Sequence, residues 1–281
     1  MAATVQIDGI HSTGMVASVS IAFDVDVTAG NAVLVGANSY YNNTIENGDI
    51  TDGLGNTYTE QIEIRDGTHF ESAAVYAALN ITGGACTVTL DSGATSDWMN
   101  LGITEVSGLA TSSAGDGSNS GDGNSTTAAS GSVTPTTSGI AIAALGSNTS
   151  DSISTPSGFT LIYENEIPSY YPCSFAYAIY ASGNQSATWT IPTGDWAACI
   201  ACFKNAPAAA PLDQEGFRFR NDDGDEDAAT WKEAQDTNLT AAKSVNTRLR
   251  VILDATGNPA TTQYQLEYRR SGQLWRKVEA E

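Results

Sequence analysis

Positive charge is the scarcest feature of this 281-residue chain: twelve Lys and Arg stand against 32 Asp and Glu, a net charge of -20. Such a surface repels phosphate backbones and anionic lipid headgroups, so nucleic acid and membrane surfaces are excluded as partners. Charge of either sign is also thin, at 16% of residues against roughly 25% in an ordinary soluble domain. No run approaches the roughly 18 apolar residues of a membrane-spanning helix. Only two histidines exist, His11 and His69, too few for a two-histidine metal site and an unpromising start for a hydrolase triad. No nucleophile elbow, P-loop or dinucleotide fingerprint appears.

Cysteine is nearly as rare. Cys86, Cys173, Cys199 and Cys202 are too sparse for a disulfide scaffold. Cys199 and Cys202 have the C-x-x-C spacing, but the apolar run around them reads as a buried strand. Residues three apart on a strand point to opposite faces, so these two do not chelate one metal together. The expectation is four buried thiols.

Apolar residues, by contrast, make up 41% of the chain, enough to build a sizeable core and to exclude wholesale disorder. They fall in short alternating or apolar runs bounded by Gly, Asn and Asp turns, and no window sustains a helical period. That pattern predicts an all-β protein of sandwich or jelly-roll type. Charge divides it. Residues 1–205 hold two basic and 19 acidic side chains, and residues 206–281 hold ten and 13. The Pro/Ala-rich stretch 206–212 lies at that boundary and reads as a linker. A β-sandwich domain over 1–205 and a small β-domain over 213–281 follow.

The first domain echoes itself. Gly30-Asn-Ala-Val-Leu-Val-Gly36, the strand after Gly55, Ala73-Ala-Val-Tyr-Ala-Ala78, Cys86-Thr-Val-Thr-Leu90 and the run after Trp98 occur in one order. Counterparts follow about 100 residues later at Ser138, Gly158, Ser174, Ala187 and Trp196. Two similar halves, about 1–110 and 128–205, are expected, joined by a Gly/Ser/Asp connector over 111–127. Its composition offers little to bury, so a flexible crossover is expected there, with Asp116, Asp122 and Asn124 as hard-oxygen candidates for calcium.

Two further features are candidate sites. Tyr40 and Tyr41 follow a central strand of the first half, and Tyr170 and Tyr171 stand at the matching place in the second. Loop tyrosines of this kind stack on sugar rings or anchor protein interfaces, and turn packing is the competing reading. In the small domain the acidic turn holds Asp222, Asp223, Asp225 and Asp227, a candidate calcium site if the nearby arginines do not pair with it. No other cofactor is indicated. Acid pairs such as Glu164 and Glu166, two apart on a strand and so on one face, have the geometry to serve glycoside hydrolysis, but among 32 carboxylates such pairs arise by chance and solvated acids are the favoured reading.

The block Phe217-Arg-Phe-Arg-Asn-Asp-Asp-Gly224, with Trp231, Arg248-Leu-Arg250, Tyr264-Gln-Leu-Glu-Tyr-Arg269 and Trp275, resembles a small β-module of tailed-bacteriophage proteins and some bacterial surface proteins. Asp52-Gly-Leu-Gly-Asn-Thr-Tyr58, Tyr76 to Gly84 and Glu105-Val-Ser-Gly-Leu109 are similar to a β-sandwich unit in the same kinds of protein. Together these resemblances cover most of the chain and bring no catalytic residue with them. They imply a structural role on the outside of a virion: capsid decoration, head fibre or tail.

The start of the chain shows no basic n-region or apolar h-region, although the composition is of extracellular type. Assembly in a host cytoplasm followed by release at lysis reconciles the two, and a mature secreted protein given a new Met is the alternative. The expected function is therefore non-enzymatic, with other virion proteins and further copies of the chain as partners. A carbohydrate-binding or adhesin module for host attachment, with a host glycan as ligand, is the second reading, and a glycan-degrading enzyme the third.

Overall fold

The computed structural model describes residues 2–40, 45–46, 48–66, 71–91, 93, 97–149, 152–166, 171–207, 212–225, 227–240, 242, 244–255, 267–268 and 276–277. The chain forms two compact units, Met1–Ala206 and Pro207–Glu281. Among the described residues there is no helix. Every regular element is a strand and every strand pairing is antiparallel, so the protein is all-β.

The first half of the larger unit contains β1 (Ala3–His11), β2 (Ser18–Ala22), β3 (Ala32–Tyr40), β4 (Ile50–Asp52), β5 (Thr59–Arg65), β6 (Ser72–Ala78), β7 (Thr87–Asp91) and β8 (Trp98–Ser107). The second contains β9 (Gly115–Ala129), β10 (Gly139–Ser147), β11 (Thr160–Asn165), β12 (Cys173–Tyr180) and β13 (Thr188–Lys204). One five-stranded sheet runs β1-β8-β3-β6-β5 and the other β9-β13-β10-β12-β11. Taken in chain order these are the same topology twice. Even a local irregularity recurs: the register slips between Glu60 and Ile62 on β5 and between Leu161 and Tyr163 on β11. A bulge at the matching place of two sheets is a property of the repeated unit, since bulges are specific features and not defects.

The two sheets pack face to face. Leu34, Val75, Ile140, Ile142, Phe175 and Phe203 belong to the layer between them. On the outer face of the first sheet, Val33, Val35, Tyr76, Leu101 and Ile103 meet Val19, Val88 and Leu90 from a three-stranded sheet of β2, β7 and β4. On the outer face of the second, Ala143, Leu145 and Ile200 pack with Trp189 and Trp196. Three apolar layers explain why β3, β6 and β10 read as continuous apolar runs: both of their faces are buried.

Size complementarity sets how the sheets meet. Register aligns Ile62, Val75, Gly36, Gly102 and Gly9 in one row across the first sheet. The matching row of the second is Tyr163, Phe175, Ala144, Cys199 and Ser120. Bulky residues of the second row sit over glycines of the first. A Cβ at Gly36 would lie 2.7 Å from the Phe175 ring, one at Gly102 2.6 Å from it, and one at Gly9 would strike Tyr163. Glycine is required here by close approach, not by a turn.

The Gly/Ser/Asp stretch is not a crossover. It forms β9, a 15-residue strand paired along β13. Side chains this small bury little, but they let Trp196 lie flat on the strand: a Cβ at Gly123 would be 3.2 Å from its indole, whose Nε1 donates to Ser125 Oγ at 3.0 Å. Backbone ladder bonds and one large partner side chain replace the apolar pattern that usually marks a strand.

The Asp52–Tyr58 motif is a self-contained knot. Asp52 accepts hydrogen bonds from the Leu54 amide (2.9 Å), the Asn56 side chain (2.8 Å) and the Tyr58 hydroxyl (3.0 Å). Glu105 plays a like part, accepting from the Thr28 amide, Asn31 Nδ2 and Gln6 Nε2 at 2.8, 2.6 and 2.7 Å.

The smaller unit is built on the hairpin of β14 (Leu212–Asn221) and β15 (Thr247–Ala255), with a short pair, β16 (Glu267–Tyr268) and β17 (Arg276–Lys277). Strict alternation puts Phe217, Phe219, Leu249, Val251 and Leu253 on one face of the hairpin, and Arg218, Arg220, Arg250 and Ile252 on the other.

Candidate functional site

Face-to-face packing of the sheets brings the end of β3 beside the start of β12, and Tyr40 and Tyr171 meet there. Their rings stack with centroids 3.3 Å apart and planes 18° apart. Trp98, the register partner of Tyr40 on β8, leans on Tyr171 at 5.9 Å and 57°. All three are half-buried. Tyr41 and Tyr170 lie outside the described residues.

Polar side chains below hold this cluster in place. Asn100 is buried; its Nδ2 donates to Asn38 Oδ1 at 2.7 Å and to the Tyr171 carbonyl at 3.1 Å. Its Oδ1 accepts from Asn165 Nδ2 at 3.3 Å. Tyr171 itself has φ 52°, an uncommon conformation for a bulky residue, and the Asn100 bond restrains it. Beside Trp98 the Asp97 carboxyl is fully buried; one oxygen accepts the Trp98 amide at 2.7 Å and the other has no hydrogen-bond partner. Burial pushes its pKa up to about 7, against the opposing pull of the Trp98 amide and Arg65. An aromatic cluster over polar groups suits a ligand with apolar faces and hydroxyl rims, or a protein anchor. The paired tyrosines could be picked out as loop aromatics, but the Asn38–Asn100–Asn165 chain and Asp97 gave no signal.

The remaining candidate groups fall apart or turn inward. Burial, with the charge of Glu166 beside it, raises Glu164 to about 7. Glu166 accepts the Ile153 amide at 2.8 Å. His11 Nδ1 pairs with the Tyr163 hydroxyl at 2.6 Å, and His69 lies outside the described residues. The four thiols are free and buried, with Cys199 in the layer between the sheets and Cys202 in the outer layer. Burial raises Cys86 to about 12 and Cys202 to about 11, so they stay protonated.

Neither acidic stretch is arranged as a calcium cage. Asp116 and Asn124 stand eight residues apart on one strand, a span of ~26 Å. Asp116 accepts from Thr136 and Thr137, and Asn124 donates to Asp195. In the smaller unit Asp222 accepts from Arg248 Nε at 2.7 Å and from Asn246, which hold its carboxyl below the usual range. Asp223 accepts the Thr230 amide at 3.0 Å, and Asp225 accepts the amides of Asp227 and Ala228. These carboxylates brace their own loop. The described residues contain no group of three His, Cys, Asp or Glu side chains placed to hold a metal ion.

The loop they brace carries Trp231 back onto β14. The Arg218 guanidinium lies 4.2 Å and that of Arg220 4.6 Å from the Trp231 ring centroid. Arg220, itself buried, donates to the Ala229 carbonyl. Arg218 and Arg220 therefore serve as cation–π partners and Arg248 as an ion-pair partner, a division their alternation alone did not reveal.

The chain matches no protein-family model, no curated protein and no solved structure at a significant level.

Proposed function

We propose that this chain is a structural component on the outside of a tailed-phage virion, of the capsid-decorating or head-fibre kind, with a tail position as the variant. The observation that carries this reading is the uneven burial of the two units. The larger is built on three buried apolar layers. The smaller leaves Leu249 (41%), Val251 (38%) and Leu253 (55%) exposed on one face of its hairpin. An apolar strip on a thin unit is best satisfied by burial against neighbouring protein, a second copy foremost. Mass spectrometry of gradient-purified particles is the test: the chain should co-purify in fixed stoichiometry with capsid or tail proteins. Its confinement to the soluble fraction of the lysate contradicts the assignment.

A second reading, attachment to a host glycan, rests on the Tyr40–Tyr171 stack with Trp98. Here a glycan array should give a defined signal that Tyr40→Ala abolishes while the fold is kept. A blank array, or one indifferent to that substitution, removes this reading and leaves the first standing.

A further inference from the structure

The two edges of the β14–β15 hairpin differ. Among the described residues the hairpin is a two-stranded sheet. The outer edge of β14 is bonded to the following loop, through Asn221 to Thr230, Lys232 to Phe219 and Asp236 to Phe217. β15 is bonded along its β14 side alone among these residues. Its nine residues include no proline and no lysine, two of the devices that keep a strand edge from templating another chain. The one register shift of the pair falls on β14, between Gln214 and Gly216, so β15 runs without a bulge. Charge is laid out unevenly along the same hairpin. Arg220 stands opposite Arg248 and Arg218 opposite Arg250, while at the far end Asp213 stands opposite Asp254. Like charges directly opposite each other cost stability. Arg248 is paired with Asp222, and Arg220 with the Ala229 carbonyl and the Trp231 ring. Asp213 and Asp254 are exposed and make no hydrogen bond or ion pair among the described residues.

We infer that β15 pairs antiparallel with β15 of a second copy, about a two-fold axis at Val251; this rests on the reading that the smaller unit is completed by neighbouring protein. The register sets Val251 against its own copy, Leu249 against Leu253 of the second copy, and Arg248 against Asp254 of the second copy. The acid end of each hairpin then lies beside the arginine end of the other, and contact across the new edge covers the β15 side of the apolar strip. Neighbouring registers serve less well. Centred on Arg250, the pairing sets that arginine against itself and Asp254 against Asn246. Centred on Ile252, it uses only Leu249 to Ala255 and leaves Arg248 outside. A shift by one residue turns the apolar side chains of one copy onto the arginine face of the other. Net charge opposes the contact least in this unit: residues 206–281 hold ten basic and 13 acidic side chains, and residues 1–205 two and 19.

The experiment oxidises the whole chain carrying Val251→Cys with copper–phenanthroline and looks for a disulfide-linked dimer. The four native thiols are buried, so the parent chain should give none. Val251→Cys should cross-link to its own copy. Thr247→Cys should not, since its two copies would stand ~26 Å apart along the paired strands. Asp254→Arg supplies an arm that does not depend on oxidation. It relieves the clash with Asp213 inside the hairpin, so melting of the chain should hold or rise, yet it faces Arg248 of the second copy, so association by sedimentation should weaken at least tenfold. Association that persists without a Val251→Cys cross-link, or that Asp254→Arg leaves unchanged, overturns the edge pairing while the smaller unit still meets neighbouring protein by another surface. A chain that is monomeric at every concentration overturns the pairing as well, and the particle mass spectrometry then decides the virion reading by itself.

Discussion

The two halves of the larger unit share a strand order and a bulge, yet they are not interchangeable. The first half breaks its outer strands, so that β2 and β7 leave the main sheet and join β4 in a small sheet of their own. The second keeps β9 and β13 whole and covers its outer face with Trp189 and Trp196. At the shared interface the first half presents Gly36 and Gly102 where the second has Ala144 and Cys199, and Val75 where the second has Phe175. Duplication alone would give two like surfaces with no preferred mate. Their divergence into a small row and a bulky row makes each half complementary to the other and poorly suited to its own copy.

The sharpest way to break that comparison is to fill the small row. Gly102→Val places a branched side chain where even a Cβ meets Phe175, and should cost about 3 kcal/mol or prevent folding. Phe175→Ala alone leaves a void and should cost about 3–5 kcal/mol. Combined, the two should cost clearly less than their sum in urea unfolding, because each removes the other's defect. Additive losses would separate the two sites and sink the row-on-row account. On the outer layer, Trp196→Ala should cost about 3 kcal/mol or more and raise amide exchange along β9 first. Uniform exchange would show that the indole does not hold that strand.

A smaller effect comes from one carboxyl in each half, the buried Asp97 and the half-buried Glu164, both raised to about 7 from ordinary values of 3.8 and 4.5. The folded state holds these protons where the unfolded chain releases them. Stability from this source is therefore full below about pH 4 and lost as pH rises through 7. Thermal midpoints should be higher at pH 5 than at pH 8, with the difference reduced in Asp97→Asn and Glu164→Gln. A midpoint that climbs between pH 5 and 8 contradicts the burial of both groups. The smallest effect expected is on chelation: EDTA should leave the melting curve unmoved, since the acidic turn is braced by Thr230, Arg248 and its own amides. A downward shift would show a bound cation.

Much of the fold could be read from residue order because strands such as Val33 to Ala37 are apolar on both faces and bounded by turns. The repeat was visible for the same reason. What hid β9 was its chemistry: a strand of Gly, Ser and Asp is stabilised by its ladder bonds and by the flat contact with Trp196, and neither leaves an apolar period in the sequence. Tyr40 and Tyr171 stood out as loop aromatics, but their meeting depends on how two sheets face each other across 131 positions of chain, which local pattern does not encode. The Arg218–Trp231 contact was obscured in the same way, because a braced acidic loop folds the indole back onto β14. That loop looked like a calcium cage only while its carboxylates had no named partners.

On the proposed reading the larger unit is self-sufficient and the smaller one is completed by neighbouring protein. Sedimentation equilibrium of the whole chain, beside a variant carrying Leu249→Asp and Leu253→Asp, tests it most directly. The wild type should assemble beyond the monomer with rising concentration, and the variant should stay monomeric with the larger unit's melting unchanged. A wild-type chain that remains monomeric throughout would contradict it.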